Sequence, residues 1–256
     1  MQGGKPILYV FSMARNSPMI NVSPFCIKLM LWYKVAKIPH TVKYKSTAID
    51  KNPRKKLPFI EIDNVCYSDS RLIIEKYKEE GVDLDSKLRN YDKAISVACC
   101  RMLEEHMFWY GVASRWVRSY DTTVKEMFPK LPLKYFWLPY ATARKMNNSL
   151  YAQGMGRLTP EEQIVLVKKD VLSIEALLND STTDFFFNSK TPTNLDVVAF
   201  SFIFSNLSLA SNDPSPQFVL DNCHRIKNLL NRILMDYFPQ EWKHYANILK
   251  PTNSKL

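Results

Sequence analysis

Ser23-Pro24-Phe25-Cys26 places a hydroxyl, a helix-starting proline and a thiol within one turn. Serine is a favoured N-cap and proline a favoured first helical residue, so the pair marks a helix N-terminus. The partial positive charge there stabilises negative charge and lowers the pKa of a thiol held beside it. The tetrapeptide therefore reads in two ways, as a cap or as a place that handles a thiol. Asp69-Ser70 stands at the start of a second helical pattern. The oriented N–H groups there can be capped by the chain itself or can hold a ligand carboxylate. Lys55 and Lys56 lie just before Leu57-Pro58; as exposed point charges they contribute little alone.

A second group lies further along. Arg101, His106, Trp109 and Tyr110 fall on a helical pattern whose stripe is Ile95, Cys99, Met102, His106, Trp109 and Ala113. Such a stripe serves as core or as a pocket wall. His106 reads as a hydrogen-bonded core histidine rather than a base. The four histidines do not cluster and no cysteine pair has zinc spacing, so no metal is expected. The five cysteines are odd in number and scattered, which suits free thiols in a reducing compartment.

These residues must be held by elements that the pattern also outlines. Ile7–Phe11 is a buried strand. A helix follows from Ser23-Pro24 to about Lys37, ended by Pro39, and His40–Lys45 is a second strand. Leu57–Ile62 and Val65–Tyr67 form a hairpin around Asp63-Asn64. Ser68-Asp69-Ser70 caps a helix from Arg71 to Glu80, stopped by Gly81. The order β-α-β, β-β-α makes a compact α/β unit over residues 1–82. Residues 83–90 read as a polar linker, and residues 91–250 as all-helical. Thr159-Pro160-Glu161-Glu162 and Thr193-Asn194-Leu195-Asp196 are capping boxes, and a last long helix runs from about Gln217 to Tyr237.

Composition sets bounds. With 46% hydrophobic residues the chain can bury a core, but no run approaches the ~18 apolar residues of a membrane span. The N-terminus lacks the pattern of a signal peptide. The sequons at Asn21, Asn147, Asn179 and Asn206 are then not expected to be glycosylated. The net charge of +10 would suit nucleic acid or an anionic surface, but lysines are spread along the chain and no nucleic-acid module appears. A solvated basic surface is the preferred reading. Residues 251–256 read as a flexible tail ending in Ser254-Lys255-Leu256, the peroxisomal address, which implies a peroxisomal import receptor as partner. The alternative location is the cytoplasm.

Residues 6–242 resemble the glutathione transferase superfamily. Ser23-Pro24-Phe25-Cys26-Ile27-Lys28-Leu29, Arg101-Met102-Leu103-Glu104-Glu105-His106 and Ala152-Gln153-Gly154-Met155-Gly156-Arg157 are similar to motifs of its failed-axon-connections and metaxin-like branch. The resemblance implies an α/β thioredoxin-like N-terminal domain plus an all-α C-terminal domain, the glutathione transferase fold. It implies glutathione as co-substrate. Leu57 would bind it through the main chain before a cis Pro58, Asp69 and Ser70 would hold its γ-glutamyl end, and Lys56 its glycyl carboxylate. Ser23 would hydrogen-bond the thiolate, and Arg101, Trp109 and Tyr110 would wall a pocket for a hydrophobic small molecule. Redox relatives carry cysteine in the place of Ser23, so a dithiol cycle is not expected, and Cys26 reads as core. The implied activity is conjugation to a hydrophobic electrophile or reduction of a peroxide. The alternative is a non-catalytic metaxin-like adaptor. Transferases commonly dimerise, and the sequence leaves pairing of two chains open.

Overall fold

A computed structural model describes residues 4–13, 17, 19–45, 52, 54–128, 133–208 and 213–249. Its N-terminal part is built from β1 (Ile7–Phe11), α1 (Pro24–Val35), β2 (Thr41–Lys45), β3 (Phe59–Ile62), β4 (Val65–Ser68) and α2 (Ser70–Glu79). The sheet order is β2-β1-β3-β4. β1 and β2 pair in parallel, and β1–β3 and β3–β4 are antiparallel. Asp63 and Asn64 turn the hairpin with φ of 49° and 65°. Two positive φ values in a two-residue loop match the right-handed twist of the strands, and Asp and Asn tolerate them. α1 buries nearly every side chain, from Pro24 through Tyr33. It is covered by the sheet on one side and by helices of the second part on the other.

The second part is helical. α3 (Asn90–Met102), a π-helical turn (Leu103–Met107), α4 (Phe108–Ala113) and a second π-helical turn (Ser114–Arg118) follow without interruption, and α5 (Tyr120–Met127) follows Ser119. α6 (Leu138–Gln153), α7 (Pro160–Asn179), α8 (Asn194–Ser208), α9 (Ser215–Asn222), α10 (His224–Tyr237) and α11 (Pro239–Tyr245) complete it. Both capping boxes form. Thr159 and Glu162 cap α7 reciprocally. Asp196 accepts from the Thr193 N–H, the Thr193 hydroxyl and the Phe186 N–H at the start of α8. α8 is buried from Asn194 to Ser205 and forms the spine of one core shared by the sheet and the helices.

Two expectations need correction, and the connection at 83–90 gains partners. The helix read as running from Gln217 to Tyr237 is two, broken at Cys223, and α11 follows it. The break exposes the N–H groups of Arg225 and Ile226, and the Glu175 carboxylate of α7 accepts from both at 2.8 Å. That long-range cap leaves no local signature in the sequence. The polar stretch 83–90 is anchored: Asp85 is buried and accepts from the Asn194 N–H of α8 at 2.9 Å and the Ser96 hydroxyl of α3 at 3.1 Å. Of the stripe drawn through Ile95, Cys99, Met102, His106, Trp109 and Ala113, only Ala113 is buried and the other five lie at the margin. Ser96, Cys100, Leu103, Met107 and Tyr110 are the residues that go inside. The two sets are offset by one residue throughout, already within α3 ahead of the first π-helical turn, so the drawn face is rotated by about 100° from the buried one.

Candidate functional site

Register places three chain segments at one end of the sheet. β1 and β3 run antiparallel with Tyr9 opposite Phe59, so the end of β1 lies beside the residues preceding β3. β4 ends there too, with Ser68 opposite Phe59. The loop into α1, the Leu57-Pro58 bend and the start of α2 therefore meet. Asn21 ties the first to the sheet by donating to the Phe11 carbonyl at 2.9 Å. Buried Asn52 ties the other two: its amide donates to the Lys56 carbonyl and its oxygen accepts from the Ser68 hydroxyl. The Leu57-Pro58 bond is cis and both residues are buried. Lys55 and Lys56 are exposed beside it.

Ser23 is the N-cap of α1 in extended geometry, with Pro24 in the first turn. Its hydroxyl makes no capping hydrogen bond. It contacts the Cys26 thiol instead. Cys26 is fully buried, and burial pushes its thiol up to about 12, so it is not a nucleophile. Half-buried Ser23 is thus the polar group presented at the mouth of α1.

Asp69 caps α2, accepting from the Arg71 N–H at 2.9 Å and the Leu72 N–H at 3.4 Å. It does so at φ 80° and ψ 119°, a backbone conformation that costs a side-chain-bearing residue about 1–3 kcal/mol. Its carboxylate lies 3.5 Å from Arg54 and 3.9 Å from Arg71. Ser70, the first residue of α2, is 4% exposed.

Sequence reasoning missed the group linking this end to the helices. Lys28 on α1 and Glu104 on the first π-helical turn form an ion pair at 3% and 1% side-chain exposure. Glu104 also accepts from Arg101 at 2.8 Å and lies 3.8 Å from Arg71, which reaches Glu105 at 2.7 Å. The partners lie in two of the three motifs that carried the resemblance, 76 residues apart. A lysine between isoleucine and leucine in a buried helix was the visible signal.

The expected pocket residues separate. Arg101 is half exposed and bound to Glu104. Trp109 is half-buried, with its ring 5.2 Å from Phe108. Tyr110 is fully buried and donates to Asp213 at 2.6 Å, so it presents no surface to a ligand. Facing the start of α1 are Phe108 and Arg115. Phe25 packs on Phe108 and Phe202 at 4.9 and 5.1 Å. Half-buried Arg115 donates to the Val22 carbonyl at 2.8 Å and to the Ser205 carbonyl at 2.7 Å. Burial lowers its pKa to about 10, so it remains charged at neutral pH. His106 is half-buried and meets Asp170 at 2.5 Å. Among the described residues no group of three or more His, Cys, Asp or Glu could hold a metal ion, and no helix is long and apolar enough to cross a membrane. Ser254, Lys255 and Leu256 lie outside the described residues.

Residues 24–123 match the profile described as glutathione S-transferase N-terminal domain. Over 93% of the chain there is 27% identity to failed axon connections of Drosophila melanogaster, of which the chain spans 59%. Metaxin-2 of Homo sapiens is 22% identical over 87% of this chain and 84% of its own. An isoprene-epoxide glutathione S-transferase of Rhodococcus sp. (strain AD45) is 28% identical over 62% of this chain and 71% of its own. In structure, a glutathione S-transferase of Ceriporiopsis subvermispora, solved in complex with glutathione, superposes with a TM-score of 0.59 at 11% identity, covering 94% of this chain and 98% of that one. With its four-stranded mixed sheet and the helices stacked on α1, the chain has the glutathione transferase fold, matches the glutathione S-transferase N-terminal domain model over residues 24–123, and is similar along most of its length to failed axon connections and the metaxins.

Proposed function

We propose that this chain binds glutathione at the sheet end formed by Ser23, Leu57-Pro58 and Asp69-Ser70, and conjugates it through its sulfur to a hydrophobic electrophile. The observation that carries this reading is the Ser23 hydroxyl: it sits at the N-terminus of α1 and is not used as the cap. A donor in that place, with the helix terminus behind it, stabilises a thiolate and so raises the nucleophile's concentration at neutral pH. Two further features support it. The exposed Lys55, Lys56, Arg54 and Arg71 give the mouth a positive character that suits a ligand with two carboxylates. The rings of Phe25, Phe108 and Trp109 supply apolar surface beside Ser23.

A second reading, a binding or adaptor protein without transferase chemistry, is favoured by the γ-glutamyl end of the site. The Asp69 carboxylate is already engaged by two N–H groups and two guanidiniums, and Ser70 is almost closed to solvent. Thermal unfolding with and without millimolar glutathione separates the two. Ligand at ten times its dissociation constant stabilises by about 1.4 kcal/mol, or a rise of about 3–6 °C. No rise at saturating glutathione would sink the ligand assignment. A rise without detectable conjugation would leave a binding protein, and a conjugation rate unchanged in Ser23→Ala would leave Ser23 without a catalytic role.

A further inference from the structure

We infer that the turn at Leu133–Tyr135 and the first half of α6 form a docking surface for an anionic lipid bilayer. Four large apolar side chains are exposed within eight residues: Leu133 at 86%, Phe136 at 73%, Trp137 at 51% and Tyr140 at 65%. Leu133 lies in a 3-10 turn that leads into α6. Their spacing of three, one and three residues puts them on one side of the chain as it winds into the helix. Soluble domains rarely leave a contiguous apolar patch of this kind in water.

The cations follow on and just beyond the same helix. Arg144 and Lys145 are exposed one turn beyond Tyr140 and border an open groove with Ala141 and Asn148. Further on, Arg157 stacks 5.2 Å from the exposed ring of Tyr151. Residues 127–160 contain five Lys or Arg and no Asp or Glu. A net charge of +10 reads overall as a solvated surface, but here one section is basic without interruption.

The combination selects the occupant. Trp and Tyr settle where one end of the ring is apolar and the other wet, as at the boundary of headgroups and acyl chains. A helix lying in that plane buries its aromatic side and meets anionic headgroups with Lys and Arg. Nucleic acid would use the cations and stack on the rings, but it has no use for Leu133, the most exposed apolar side chain of the set. No described helix crosses a membrane, so attachment through this stripe is peripheral. The assignment is independent of glutathione binding.

The test is sedimentation of the full-length protein with phosphatidylcholine vesicles containing roughly a third phosphatidylserine. Partitioning should exceed that onto pure phosphatidylcholine by about twenty-fold, from two cations near the surface at about fivefold each, and should weaken with salt. Phe136→Ser with Trp137→Ser should lower it at least about tenfold, and Arg144→Glu with Lys145→Glu should abolish the preference for the anionic lipid. All four sites are exposed, so both variants should melt with the wild type. Trp137→Tyr, which keeps an amphipathic ring, should retain partitioning. Wild-type protein that stays in the supernatant overturns the inference. So does vesicle binding that ignores the Phe136/Trp137 substitution, which would mark a plain polycation. A wild-type dimer that this substitution splits, without vesicle binding, would assign the stripe to a second copy of the chain and equally overturn it.

Discussion

Removing Glu104 should destabilise the protein more than removing its partner Lys28. Both side chains are almost fully buried, at 1% and 3% exposure. The neighbourhoods differ, however. Among the described residues Glu104 is the single carboxylate paired with Lys28, with Arg101 at 2.8 Å and Arg71 at 3.8 Å also turned to it. In Glu104→Gln the ammonium of Lys28 stays buried without its counter-ion, and breaking a buried pair in this way costs about 3–5 kcal/mol. For a chain of this size that is a fall in Tm of about 6–20 °C. In Lys28→Met the carboxylate keeps two guanidiniums, both also reached by solvent, so the loss should be about half as large. The double variant Lys28→Met, Glu104→Leu removes both charges and should recover to within about 1 kcal/mol of the wild type, or exceed it. Thermal unfolding followed by circular dichroism reads all four proteins. Equal losses in the single variants, or a double variant whose loss is the sum of the two, would refute the view that Glu104 is the hub.

Two further outcomes are expected from the same structure. The hydrogen bond with Asp170, outweighing partial burial, raises the His106 pKa above its ordinary value of about 6.5. The contribution is then complete below pH ~6.5 and is lost as pH rises through the raised value, so the Tm gap between wild type and His106→Gln should shrink from pH 6 to pH 8.5; a constant gap would show that the ring acts only by packing. Tyr110→Phe leaves Asp213 short of a buried donor at a cost of about 1–3 kcal/mol, and should leave the KM for a model electrophile unchanged. A shifted KM at unchanged Tm would return that ring to the pocket.

Local signals made much of the fold readable. Ser23-Pro24, Asp63-Asn64 and the two Thr capping boxes each bring their own hydrogen-bonding chemistry, so their positions are set by a few adjacent residues. The Leu57-Pro58 bend was legible only through resemblance, because a proline at the start of a strand looks the same in either isomer. The features that escaped depend on partners far along the chain. Glu175 caps α10 across 50 residues, Asp85 caps α8 across 109, and Glu104 meets Lys28 across 76. Ser23, Leu57-Pro58 and the start of α2, grouped in the sequence reading, meet at one end of the sheet. On the helical side Phe108 and Arg115 face α1, whereas Tyr110 is buried against Asp213.

The two π-helical turns have a consequence for how this chain can change by insertion and deletion. Each holds one residue beyond α-helical spacing, so deleting one residue from Leu103–Met107 would let an unbroken α-helix form and rotate everything after it by about 100°. Arg115 would swing away from the Val22 carbonyl, and Phe108 from Phe25. A deletion after Arg115, within Trp116–Arg118, would spare both contacts and displace only α5 and the helices beyond it. An aligned relative with a one-residue gap in the first turn is therefore expected to present a different wall to the start of α1, while a gap after Arg115 leaves that wall in place.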